Sequence, residues 1–299
     1  SAFDIFFTVK NLLYLGDYKE ALTENESLDI NEEDPVQVIR KKFYQFLVYL
    51  EEDKQNELNN LLMELKDSKD STKIYYNIFK IYLVYYIRGT YKEDVLNKVY
   101  NDLVGLENVN SFLQPAIYLI SLILLDLDDR ERFLHLTKLL DSDPEIIILR
   151  IFFFLRLNNL EECKVLINQL RSKDSDSLST SLTGISTEIF TELTHESIVM
   201  QLVEIKDNNK ITPKLMNMVA VSMFSNGLYK EALKPLNLGM DICLKNGYRN
   251  EDVNALYVNL ICCYRNLGME DEVRETEEKL RNFNPNNKYF AKLKEFEEE

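Results

Sequence analysis

Residues 226–233 read NGLYKEAL and residues 15–22 read LGDYKEAL. The phrase recurs with drift at 88–95 (RGTYKEDV), 157–163 (LNNLEEC) and 267–273 (LGMEDEV). Each copy follows a strongly apolar stretch and precedes an amphipathic one, the pattern of helix, tight turn, helix. Gly16, Gly89, Gly227 and Gly268 stand where the first helix has to end in a left-handed conformation, and Asn158 is the next-best residue for it. Four of the chain's 8 glycines are spent on these turns. A small residue five positions on (Ala21, Cys163, Ala232, Val273) lets the second helix pack closely on the first.

The prolines carry the same message. Asp34-Pro35, Asp143-Pro144 and Thr212-Pro213 each put a capping side chain before a proline, the signature of a helix start. Pro115 precedes a weaker turn at Asp128, and Pro235 marks a kink within its helix. With two further weak turns near Asp53 and Thr194, the turn positions are 16, 53, 89, 128, 158, 194, 227 and 268. Their mean spacing of about 36 residues is close to the tetratricopeptide period of about 34. The expected architecture is all-α: an α/α superhelical solenoid of about eight tetratricopeptide-like hairpins over 1–299, with a polar helix over 285–299.

Composition narrows the function. The chain has 299 residues, 45% hydrophobic and 28% charged, which excludes extensive disorder. Its net charge of −15, with no basic stripe, argues against nucleic acid and against adsorption to an anionic leaflet. GxGxxG and Walker-type loops are absent. Cys163, Cys243, Cys262 and Cys263 form no CxxC pair, and the 2 histidines are His135 and His195, so no metal or other cofactor is expected. Both histidines lie in amphipathic helical text, which leaves no catalytic triad and no catalytic residues to nominate. The segment 172–180 (SKDSDSLST) reads as a loop between repeats. The Phe-rich start is broken by Asp4 and Lys10, unlike a secretory signal, and the apolar run Ala116–Leu125 is too short to span a bilayer.

Several first helices are apolar all round. Ile74 to Ile87 (IYYNIFKIYLVYYI) contains Asn77 and Lys80 as its polar residues apart from tyrosines, and Ala116 to Leu125 and Ile146 to Leu155 are similar. A helix apolar all round has to be covered all round. Superposing the tetratricopeptide pattern predicts a partner-binding concave face made of Phe6, Phe43, Leu47, Phe79, Leu83, Tyr86, Tyr118, Leu122, Ile148, Phe152, Val221 and Phe224. Two readings stay open: an aromatic groove that grips an inserted segment, or a tight superhelix in which these residues pack on one another as core.

The two ends resemble a known family. The opening AFDIFFTVKNLLYLGDYKEAL is similar to the start of the coatomer epsilon subunit family through Phe3, Asp4, Val9, Lys10, Asn11, Tyr14, Gly16 and Tyr18, with extra residues between Asp4 and Val9. Asn217, Met223, Gly227 and Ala232 resemble its penultimate hairpin, and Asn254, Leu256, Asn259, Leu260 and Gly268 its last one. The closing KYFAKLKEFEEE resembles its charged final helix. The resemblance covers about the first 50 and last 85 residues.

It implies a non-enzymatic subunit of the COPI vesicle coat that binds and stabilises the C-terminal domain of the alpha subunit. Through alpha it would join beta-prime and the rest of the coat in Golgi-to-ER and intra-Golgi transport. The implied location is cytoplasmic, peripheral on Golgi membranes and COPI-coated vesicles, with no membrane insertion. The alternative is a generic tetratricopeptide interaction adaptor. A carboxylate-clamp adaptor needs inward Lys and Asn in its first repeat, where this chain has Phe6 and Lys10.

Overall fold

Left-handed backbone falls where the spacing places the turns. In the computed structural model, which describes residues 4–190, 195–248 and 251–298, φ is positive at Gly16 (88°), Asp53 (53°), Gly89 (62°), Asp128 (55°), Asn158 (53°), Gly227 (77°) and Gly268 (69°). Asp and Asn tolerate this region because their short polar side chains hydrogen-bond locally. The turn expected near Thr194 lies outside the described residues. Gly247 (φ 68°), which ends an 18-residue helix, is a further left-handed position that the repeat phrase does not mark.

The described residues form seventeen α-helices and no strand. They follow as sequential pairs: α1 (Phe7–Leu15) and α2 (Tyr18–Ser27), α3 (Pro35–Glu51) and α4 (Gln55–Asp67), α5 (Ile74–Arg88) and α6 (Glu93–Val104), α7 (Gln114–Asp126) and α8 (Arg130–Lys138). Next come α9 (Pro144–Arg156) and α10 (Leu160–Lys173), α11 (Leu178–Ile189) and α12 (His195–Asn208), α13 (Pro213–Phe224) and α14 (Tyr229–Asn246), and α15 (Glu251–Asn266) and α16 (Glu270–Phe283). A last helix, α17 (Lys288–Glu298), closes the order. This is the all-α, helical-hairpin class that the sequence predicts.

Helix starts are set locally. Pro35, Pro144 and Pro213 open α3, α9 and α13. Asp34 accepts from the N–H of Val36 at 2.9 Å, Asp143 from those of Glu145 and Ile146, and Thr212 from that of Leu215. Ser177 caps α11 by accepting from Thr180, so the loop expected over 172–180 shrinks to 174–177. The final helix starts three residues later than expected, because Asn287 Oδ1 accepts from the N–H of Tyr289 at 2.9 Å. Pro235 lies inside α14 and is buried.

The helices gather into two compact units. The first comprises Ser1–Tyr14, Tyr18–Leu50 and Lys54–Phe190; the second comprises Leu15–Asp17, Glu51–Asp53 and Thr191–Glu299. In the first, α7 packs against α5, α8 and α9, and α9 against α10 and α11. Its main core runs from Phe6 and Val9 through Phe43, Tyr44, Phe46, Tyr75 and Phe79 to Phe133 and Phe153. In the second, α13 packs on α14 and α15, and α15 on α16, around Ala220, Leu236, Leu256 and Leu260. The small residues that follow the turns (Ala21, Cys163, Ala232, Val273) are all buried at helix crossings, where a larger side chain would hold the helices apart.

Candidate partner-binding surface

The twelve residues expected on one face divide by burial. Phe6, Phe43, Phe79, Leu83 and Ile148 are buried. Leu47, Tyr118, Leu122, Val221 and Phe224 are half-buried. Tyr86 and Phe152 are exposed, at 36% and 38%. Several of them meet inside the first unit. Phe43 lies edge-on to Tyr118 at 5.6 Å between ring centres, and Phe79 stacks on Phe46 at 4.3 Å. Ile148 belongs to a separate cluster with Leu166, Ile167 and Leu170. Phe224 stacks on Tyr229 across its hairpin turn, in the second unit. A buried aromatic of this kind contributes roughly 2–3 kcal/mol by leaving water. Five of the twelve therefore serve the core and present no side chain to a partner in this conformation.

The outward apolar side chains are largely others. Ile74 is 46% exposed, Ile87 53% and Val84 37% on α5; Val165 is 60% exposed on α10, Phe190 60% just after α11, and Met200 72% on α12. For α5 the sequence did carry a signal: a helix apolar on every side, with a single face to bury.

In the first unit a largely buried polar network joins α1, α3, α7 and α9. Lys10 Nζ pairs with Asp4 Oδ2 at 2.7 Å, and the N–H of Phe6 donates to Asp4 Oδ1 at 3.0 Å. Tyr44 donates its hydroxyl to Glu145 Oε1 at 3.3 Å, and Gln114 Nε2 donates to Glu145 Oε2 at 2.5 Å. Asn11 Oδ1 accepts from the N–H of Leu178 at 2.8 Å. Burial pushes the Glu145 carboxyl up to about 7, and the Asp143 charge adds to the rise while Lys10 and Arg40 oppose it. Burial works to raise Asp4 too, but the hydrogen bond and charge of Lys10 outweigh it and hold Asp4 below the usual carboxylate range. Asp4, Lys10 and Asn11 of the opening signature thus act inside the first unit, fastening α1 to elements up to 167 positions away.

The second unit has a buried carboxylate of its own. Burial pushes Glu51 up to about 8, Asp252 adds to the rise, and Lys214 opposes it. Close by, Thr212 donates to the Leu15 carbonyl at 2.5 Å, and Lys210 pairs with Asp17 at 2.9 Å.

Among the described residues no group of three or more His, Cys, Asp and Glu is placed to hold a metal ion. Burial pushes the thiols of Cys243 and Cys263 up to about 12 and 11, opposite to the shift a nucleophilic thiolate needs. His135 Nδ1 hydrogen-bonds the Tyr100 hydroxyl at 2.9 Å, and the side chain of His195 lies outside the described residues. No helix of the described residues is long and apolar enough to cross a membrane.

Comparison with known proteins adds a family. The model of the coatomer epsilon subunit family matches residues 2–299. No curated protein sequence matches the chain. Among solved structures, a chain of the crystal structure of the APC/C hetero-tetramer Cut9-Hcn1 is similar at 12% identity, over 95% of this chain and 74% of that one, with a TM-score of 0.28. That likeness is too low to carry an argument about function.

Proposed function

This chain belongs to the coatomer epsilon subunit family, and from that membership we propose that it acts as a non-enzymatic structural subunit of the COPI vesicle coat. In this reading it binds and stabilises the C-terminal domain of the alpha subunit. Through alpha it reaches beta-prime and the rest of the coat, in Golgi-to-ER and intra-Golgi transport. It works in the cytoplasm, peripheral on Golgi membranes and COPI-coated vesicles. The observation that carries the reading is the family match over essentially the whole chain. Tandem helical hairpins support it, because stacked hairpins offer long surfaces for protein partners. The net charge of −15 favours recruitment through protein partners over direct contact with anionic lipid.

Of the expected partner-facing residues, exposed Phe152 and Tyr86 are the ones offered as contacts, with half-buried Leu47, Tyr118, Leu122, Val221 and Phe224 beside them. The test is co-expression with the C-terminal third of the alpha subunit from the same organism, followed by size-exclusion chromatography with light scattering. A stable 1:1 complex is expected. Phe152→Asp should weaken it at least tenfold without lowering the melting temperature of the free chain, since an exposed aromatic anchors binding and not the core. If a folded alpha fragment elutes apart from this chain, the coat assignment of the surface fails and a generic adaptor takes its place.

A further inference from the structure

Helix α5 is apolar on both sides and buries one. Tyr75, Ile78, Phe79 and Leu83 face the core. On the opposite side Ile74, Val84 and Ile87 stand 46%, 37% and 53% exposed. Val84 and Ile87 are three residues apart and share one stripe, with Ile74, ten residues before Val84, at its edge. Exposed Lys73, Lys80 and Arg88 fall on the same stripe by helical spacing. At 1.5 Å per residue, the stripe from 73 to 88 is about 22 Å long.

Charge singles the stripe out from the rest of the chain. The protein carries 50 acidic residues in 299, yet the 22 residues from Ser71 to Lys92 contain none and hold four cations, Lys73, Lys80, Arg88 and Lys92. None of the four makes an ion pair among the described residues. Lys80 instead lies over the ring of Tyr76, 5.4 Å from its centre. A chain rich in carboxylates thus has none within this segment and leaves its four cations without an ion pair among the described residues; the carboxylate of Asp126 reaches α5 at the Tyr85 hydroxyl.

We propose that the outer stripe of α5 docks a segment of a partner protein in which carboxylates alternate with apolar side chains. Apolar side chains of the segment cover Ile74, Val84 and Ile87, and its carboxylates pair with Lys80 and Arg88. A stripe of this length takes about seven residues of extended chain or four turns of helix. A protein segment fits better than an anionic bilayer. It brings a few carboxylates to one place, whereas a bilayer meets the repulsion of the whole −15 charge. The proposal does not rest on the alpha-subunit complex, and its test uses this chain alone, so either reading can fail without the other.

The test is fluorescence anisotropy with the full chain and a fluorescein-labelled twelve-residue peptide that alternates Asp or Glu with Leu or Phe. The comparison probes are the same peptide with Lys in place of its carboxylates, and vesicles containing phosphatidylserine. Expected is saturable binding of the acidic peptide that falls steeply as salt rises. K80E/R88E and V84S/I87S should each weaken it at least tenfold while leaving the melting curve in place. Should K80E/R88E disturb the fold, K80Q/R88Q gives the same reading with a loss of about threefold or more. The Lys peptide should not bind. Absent or non-saturating binding, equal binding of both peptides, indifference to the variants, or recruitment to vesicles without peptide binding would each overturn the proposal.

Discussion

Helices α5 and α7 look alike as sequence and differ in the structure. Both are apolar all round and both start a hairpin in the first unit. On α7, Pro115, Ala116, Ile117, Leu119, Ile120, Ser121, Ile123 and Leu124 are all buried, because α5, α8 and α9 cover it. On α5 a stripe through Ile74, Val84 and Ile87 stays open. The difference teaches that an apolar circumference marks either a central helix or a helix with a second surface to offer. Charge separates the two. α7 has no ionised side chain before Asp126, while Lys80 and Arg88 sit on the open side of α5. A buried cation without a partner is too costly to keep, so the lysine and arginine mark the side that none of the described residues covers.

The sharpest way to break this comparison is the same substitution on both helices. Ile120→Asp puts a charge into a site with no exposure and should unfold the first unit or cost more than about 4 kcal/mol. Ile87→Asp should stay within about 0.5 kcal/mol of wild type. Urea unfolding followed by circular dichroism decides it; equal losses would mean that α5 is as enclosed as α7.

Next in size is a pH effect at the foot of α7, where Gln114 donates to Glu145. The folded carboxyl is raised to about 7 against 4.5 for the ordinary group. A carboxyl raised in the folded state stabilises fully below its unfolded value, and that stability is lost as pH rises through the folded one. Stability should therefore fall between about pH 4.5 and 7.5, by up to about 3 kcal/mol. Glu145→Gln should flatten that slope. Asp4, Asp143, Lys10, Arg40 and Tyr44 share the environment and set what remains. Glu51, raised to about 8, adds a slope of the same sign from the second unit, so Glu51→Gln together with Glu145→Gln should flatten it further. K80Q/R88Q on the open stripe should leave the profile unchanged. A wild-type profile that is flat from pH 5 to 8 would contradict the burial of these carboxyls.

The smallest effect tests how fully α7 is covered. The Ser121 hydroxyl is buried without a hydrogen-bond partner among the described residues. Ser121→Ala removes an unmet polar group and should raise stability by about 1 kcal/mol. A loss of that size would show that the hydroxyl is satisfied, and that α7 is wetter than its side chains suggest.

Much of the backbone was legible. Gly16, Gly89, Gly227, Gly268 and Asn158 could be placed because a left-handed residue admits few side chains, and Asp53 and Asp128 followed from spacing alone. Gly247 escaped because it ends a long helix rather than joining a repeat. Pro35, Pro144 and Pro213 located helix starts because capping is settled within three residues. The partner-facing list was much less legible. The superposition favoured the side of α5 holding Phe79, Leu83 and Tyr86, and Phe79 and Leu83 turned out to be core.

By itself, then, the sequence determined the helical-hairpin class, seven of the eight expected turn positions and the family resemblance of the two ends. All three depend on residues close together along the chain, where backbone sterics and local hydrogen bonds decide the outcome. Only the tertiary structure decided which side of α5 is open, that Phe6 and Ile148 are buried, and that Tyr44, Gln114 and Glu145 meet. Burial depends on which neighbours a helix acquires, and a helix apolar on every side gives its own sequence no preferred direction. A contact between Tyr44 and Glu145 spans 101 positions, a distance over which no local pattern in the chain holds information.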